Sequence, residues 1–128
     1  MVSSRWREVY YWHQAKGELD LKYHAHIYFE WQDEARARLL ARRAADDLRD
    51  RSVKMAGFHP APVGPHPKGM FEMHFEKSAL EKVKLYFLQE AADFRILIHE
   101  DTGDDLADHT DGTLWLGKPL LLNFEFFD

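Results

Sequence analysis

The sequence contains no cysteine. That excludes thiolate zinc sites, iron–sulfur clusters and catalytic thiols, and it leaves any metal to histidine, carboxylate or carbonyl ligands. Long hydrophobic runs are also missing. No stretch approaches the roughly 18 consecutive apolar residues of a membrane span, and the start of the chain (Ser3, Ser4, Arg5, Trp6) lacks the apolar centre of a signal peptide. The expectation is a cytoplasmic chain with no membrane partner. Nor is there an excess of basic charge: 17 Lys and Arg against 22 Asp and Glu give a formal charge of -5, so no nucleic-acid partner is expected.

What is present suits a single domain over residues 1–128, since domains usually run to roughly 100–200 residues. Hydrophobic residues make up 45% of the chain, enough for a core without disulfides or a structural metal. Histidine is over-supplied, with eight where a chain of this length would ordinarily hold about two or three.

Periodicity predicts six elements. Tyr23 to Phe29 (YHAHIYF) is short, aromatic and β-branched, and reads as a strand. Ala37, Leu40, Ala44 and Leu48 recur at helical steps from Asp33 to about Arg49, with the arginines of that segment on a solvated face. A second strand is expected over Arg51 to Phe58. Pro60, Pro62, Pro65 and Pro67 then make a stiff loop. In Gly69 to Glu76, Phe71, Met73 and Phe75 alternate with Glu72, His74 and Glu76. Ser78-Ala79-Leu80-Glu81 has the pattern of a capping box, with Leu80, Val83 and Phe87 carrying a helix to about Ala91. Phe94 to His99 completes the set.

The order βαββαβ is two βαβ halves, for which right-handed crossovers favour a ferredoxin-like α+β sandwich. Its sheet is antiparallel with spatial order 4-1-3-2. Asp101 to Gly117 is polar and turn-rich. Leu120 to Phe127 (LLLNFEFF) is expected as an extra C-terminal strand, apolar on both faces, which suggests a homodimer, the rival being a tail folded back over its own open face as a lid.

In this arrangement Ala25, Ile27 and Phe29 point to the helices, and His24, His26, His74 and His99 fall on the opposite face. His24 and His26 form an HxH pair on one strand, a moderately specific metal signal. Alone, such a pair is as often structural as functional. His99 on the neighbouring strand, His66 in the proline loop and His109 in the polar loop strengthen the metal reading, while His13 and His59 read as surface residues and His74 as an exposed one. Glu72 shares the face and reads as a site carboxylate or a solvated ion-pair member. The Asp101–Asp111 run does not fit an EF-hand and reads as turn chemistry.

The residues Tyr23-His24-Ala25-His26-Ile27-Tyr28-Phe29, Pro62-Val63-Gly64-Pro65-His66-Pro67, Phe71-Glu72-Met73-His74-Phe75 and the block from Gly103 to Gly117 (GDDLADHTDGTLWLG) together resemble the DOPA 4,5-dioxygenase family. These are ferredoxin-like ring-opening dioxygenases known from fungal pigment synthesis and widespread in bacteria. The resemblance spans residues 23 to about 117. It implies that His24, His26, His66, His99 and His109 match family histidines, whereas His74 and Glu100-Asp101 depart from the pattern. The implied activity is extradiol cleavage of a catechol such as DOPA, with dioxygen as co-substrate. Non-haem Fe(II) would sit on His24, His26 and His99, with Zn or Ni able to substitute in isolated protein. His66 and His109 would move protons, and Arg95 would pair with a substrate carboxylate. Two other readings fit the architecture. One is a non-enzymatic dimer binding a small ligand or divalent metal; the other, a haem monooxygenase, is disfavoured by the HxH pair.

Overall fold

The structure, a computed structural model, describes residues 21–127. Five strands form one antiparallel sheet: β1 (Tyr23–Phe29), β2 (Val53–His59), β3 (Gly69–Phe75), β4 (Arg95–Glu100) and β5 (Thr113–Leu116), in the order β2-β3-β1-β4-β5. The first four reproduce the expected 4-1-3-2 order, and the fold is ferredoxin-like α+β. Helices α1 (Glu34–Asp47) and α2 (Leu80–Glu90) cover one face, and a short α3 (Asp105–Asp108) lies between β4 and β5.

The core forms where the period-two face of the sheet meets the helical stripes. Ala25, Ile27, Phe29, Phe71, Met73, Phe75, Ile96 and Ile98 pack against Ala37, Leu40, Ala41, Ala44, Val83 and Phe87. The α1 stripe is wider than the spacing suggests, since Ala41 and Ala45 are buried as well. Alanines at these positions let the helix lie close to the aromatic sheet face. Its arginines are less solvated than expected: Arg36 and Arg38 lie over the rings of Phe94 and Phe58 at 4.5 and 4.2 Å. They also pair with Asp93 and Glu34 respectively. Such guanidinium–ring contacts contribute about 0.5–1 kcal/mol each at exposed sites.

Two local expectations differ from the structure. Ser78 does not cap α2. It lies in a 3-10 turn, Lys77–Ala79, and its hydroxyl donates to Glu76, so the helix begins at Leu80 without a side-chain cap. The extra strand is not Leu120–Phe127 but Thr113–Leu116, inside the segment read as turn-rich. Thr113, Leu114, Trp115 and Leu116 provide a short β-prone run that pairs with Ile96–His99. The tail instead crosses the helix-free face and ends in a 3-10 turn, Phe124–Phe127. There Leu122 is buried in a second apolar cluster with Tyr28, Met70 and Leu97, flanked by Trp115 and Leu120. The tail departs from the expected strand because a packed coil buries its apolar side chains equally well.

Among the described residues, no helix is long and apolar enough to cross a membrane. The expectations for His13 and for the segment around Ser3 fall outside the described residues.

Candidate functional site

The register of the sheet builds the site. His24 of β1 is paired with His74 of β3 on one side and His99 of β4 on the other, so three imidazoles form one row across three strands. Two residues along β1, the next row places Glu72 beside His26, and the row after that places Met70, Tyr28 and Arg95 together. Side chains of directly opposed residues lie within reach of one another, so strand pairing alone concentrates these groups.

Two further histidines arrive from loops. His66 ends a tight turn in which its N–H donates to the Val63 carbonyl at 3.0 Å. Gly64 makes that turn with φ +57, in the left-handed region where a side chain is strained. The tail holds the loop down, the Asn123 N–H donating to the Pro65 carbonyl at 2.8 Å. Gly69 closes the loop at its base: a Cβ there would meet the Pro60 carbonyl at 2.7 Å and the Phe29 ring at 2.9 Å. His109 follows α3, whose start Asp104 caps by accepting from the Ala107 N–H at 3.1 Å. Asp108, beside His109 and buried, accepts from the Thr102 N–H and hydroxyl at 2.8 and 2.5 Å, tying α3 to the end of β4. The aspartates of this segment thus serve loop structure, as the sequence suggests.

The outcome is a continuous wall of six imidazoles. His24 stacks on His74 with ring centroids 3.8 Å apart. His26 lies 4.2 Å from His66 and 5.1 Å from His99, and His99 lies 4.3 Å from His109. One nitrogen from each of His24, His26 and His99 falls within 4.8 Å of the others, and the same holds for His26, His66 and His109. Of the residues expected at the site, all five histidines converge. Arg95 does not join them: it is on the same face but four residues from His99 along β4, roughly 13 Å at about 3.3 Å per residue. His59 is not a plain surface residue either, because its Nε2 lies 3.5 Å from a Glu72 oxygen.

Burial sets the protonation of this wall. His26, His66 and His99 are only 4–6% exposed. Desolvation, followed by the mutual repulsion of the rings, lowers His24 and His66 to about 4 and lowers His26 and His99 as well. Near neutral pH these four rings are therefore neutral and carry lone pairs. Glu72 goes the other way. Burial pushes its carboxyl up, but hydrogen bonds from His59 and His74 and the nearby His26 outweigh that and hold it below the usual carboxylate range.

Backbone carbonyls decide which nitrogen is bare. His99 Nδ1 donates to the Glu100 carbonyl at 3.2 Å and His109 Nδ1 to the Asp105 carbonyl at 2.7 Å. A carbonyl only accepts, so the neutral His99 ring carries its lone pair on Nε2, and His109 is oriented with Nδ1 as the donor and Nε2 turned away from the Asp105 carbonyl. His26 Nε2 lies 3.1 Å from His99 Nε2 and is then the donor of that contact. Its own Nδ1 is left as a bare lone pair, fully buried and without a hydrogen-bond partner among the described residues. A buried lone pair among neutral imidazoles fits a Lewis-acidic cation of the borderline class that imidazole binds.

Tyr28 is the functional residue the sequence reasoning passed over. Its hydroxyl lies 2.6 Å from His66 Nδ1, and burial raises its pKa. It shares the period-two face of His24 and His26, which is the signal that would have found it. With the phenol donating, neutral His66 carries its proton on Nε2.

An antiparallel α+β sheet with helices on one face and clustered neutral histidines on the other defines a histidine-centred site on a ferredoxin-like scaffold. The chain belongs to the Dopa 4,5-dioxygenase family, which it matches over residues 23–126. It is similar to the DOPA 4,5-dioxygenase of Amanita muscaria, 31% identical over 108 residues, or 80% of this chain and 47% of that protein. The chain thus spans about half the length of that curated relative. Among solved structures it is similar to a candidate dioxygenase from Nostoc punctiforme, 36% identical with a TM-score of 0.70, covering 82% of this chain and 89% of the other.

Proposed function

We propose that the protein is a non-haem Fe(II) dioxygenase that opens the ring of a catechol, such as DOPA or a related dihydroxyphenyl compound, by extradiol cleavage. The observation that carries this reading is the convergence of His24, His26 and His99, one nitrogen of each within 4.8 Å of the others, beside a buried and unpartnered His26 Nδ1. These three residues would hold the ion. Bound there, Fe(II) would supply the Lewis acidity and redox chemistry that catechol and dioxygen need to react.

The chain's own groups supply the proton work. His109, with Nε2 bare, accepts a proton from a catechol hydroxyl. His66, with Nε2 protonated by virtue of Tyr28, donates one as the ring opens. Arg95 stands at the far end of the face, where a carboxylate on the substrate side chain would meet it. The tail, with Leu122 buried over Tyr28 and Leu97, keeps water from this side of the sheet.

The test is anaerobic loading with Fe(II), followed by a scan of catechols in air for the yellow absorbance of ring-opened semialdehydes. Turnover of at least one dihydroxyphenyl compound is expected, lost in His26→Ala and His99→Ala. A loaded, folded protein inert to every catechol overturns the reading.

A further inference from the structure

The site described above leaves three side chains of the same face unused. Glu72 is central on β3, its carboxylate half-buried, with one oxygen 2.9 Å from His74 Nε2 and the other 3.5 Å from His59 Nε2. His24 lies against the outer ring of this group, stacked on His74. Three strands therefore bring imidazoles to one carboxylate, on a face where the packing of the core requires none of them. A solvated ion pair needs a single partner, and surface pairs of that kind contribute about 0–1 kcal/mol. Two nitrogens facing two oxygens of one half-buried carboxylate, with a third ring behind, is a donor set.

One atom from each of His24, Glu72 and His74 falls within 4.8 Å of the others. That range includes the roughly 3.0–3.5 Å between ligand atoms around an ion with bonds near 2.1 Å, and His74 Nε2 already lies 2.9 Å from a Glu72 oxygen. Side-chain rotation is open to both, since His74 and Glu72 are each about one-fifth exposed on the face opposite α1 and α2. Two imidazoles and one carboxylate suit zinc and other borderline divalent ions, with Glu72 supplying the negative charge.

We propose that Glu72, His74 and His24 form a second divalent-cation site on the open face, coupled to the first through His24. His24 also belongs to the group with His26 and His99. An ion held by Glu72 and His74 competes for it, so filling either site weakens the other. The coupling rests on the proposed His24, His26 and His99 site, whereas the ion on Glu72 and His74 requires no ring-opening chemistry.

Zinc titration of the chelator-stripped full chain, with bound metal measured by equilibrium dialysis, tests it. Wild type is expected to take two equivalents, the second more weakly. Glu72→Gln and His74→Gln, checked for an unchanged fold by circular dichroism, should each lose one equivalent or bind it at least about tenfold more weakly. His99→Ala should retain the Glu72-dependent ion. If Glu72→Gln and His74→Gln bind zinc as wild type does, the second site does not exist, whatever the total. If wild type takes one equivalent that these variants lose and His99→Ala keeps, the Glu72 and His74 site stands, while its coupling and the His24, His26 and His99 assignment fail. Absence of zinc binding in wild type overturns both.

Discussion

A neutral imidazole has one nitrogen to give and one to receive, and here the partners choose between them. The carbonyl of Glu100 leaves Nε2 bare on His99, that of Asp105 takes Nδ1 of His109 as a donor, and Tyr28 reserves Nδ1 of His66. The same burial that makes these rings available also ties stability to pH. His24 and His66 titrate near 4 in the folded chain, below their ordinary value of 6.5. Between those values the unfolded chain binds more protons than the folded one, so acid favours unfolding. The stabilisation is complete above about pH 6.5 and is lost as pH falls toward 4. Urea midpoints of the metal-free protein should fall across that window, and His24→Gln and His66→Gln should flatten the slope. Equal slopes in wild type and both variants would show that the rings are not buried neutral.

Among the elements, strands were more legible than the segments that join them. Period-two alternation in Tyr23–Phe29 and Gly69–Phe75 separates core from site faces with little ambiguity, because a one-residue slip would bury histidines and expose phenylalanines. That alternation located His24 and His26, and the alternation of Phe94–His99 located His99. Alternation also carried Tyr28, Glu72 and His74 on the same face, but their importance depends on neighbours from other strands and loops, which no local pattern contains. The start of α2 and the tail were misread for a related reason. A capping motif or an apolar run permits several conformations, and tertiary packing chose among them. The tail's packing yields a prediction at this scale. Leu122 is buried beside Tyr28, and its neighbour Asn123 holds Pro65. Leu122→Ala should destabilise the protein by about 2 kcal/mol, the low end for buried leucine. It should also speed amide hydrogen exchange at His66, whose N–H closes the turn. Unchanged protection there would mean that the tail does not hold the histidine loop.

For the molecule as a whole, the tail's return over its own sheet removes the two-faced strand on which a homodimer was first expected. The homodimer remains our proposal on different residues. Leu121 and Phe126, 85% and 57% exposed, and Phe124 stand on the outer side of the same tail, an apolar surface suited to a second copy. Light scattering at micromolar concentration should give twice the 15.1 kDa chain mass, and a stable single-chain mass would contradict it. The helix-covered face carries the fold and the opposite face carries the chemistry, so histidine substitutions should affect activity with little effect on folding. The chemistry itself is tested most directly by isotope. With the Fe(II)-loaded chain turning over a catechol under ¹⁸O₂, mass spectrometry of the ring-opened product, its aldehyde reduced by borohydride as it forms so that the oxygen cannot exchange with water, should find both atoms of the labelled dioxygen in each molecule. A product carrying one labelled atom or none would contradict dioxygenase chemistry at this histidine wall.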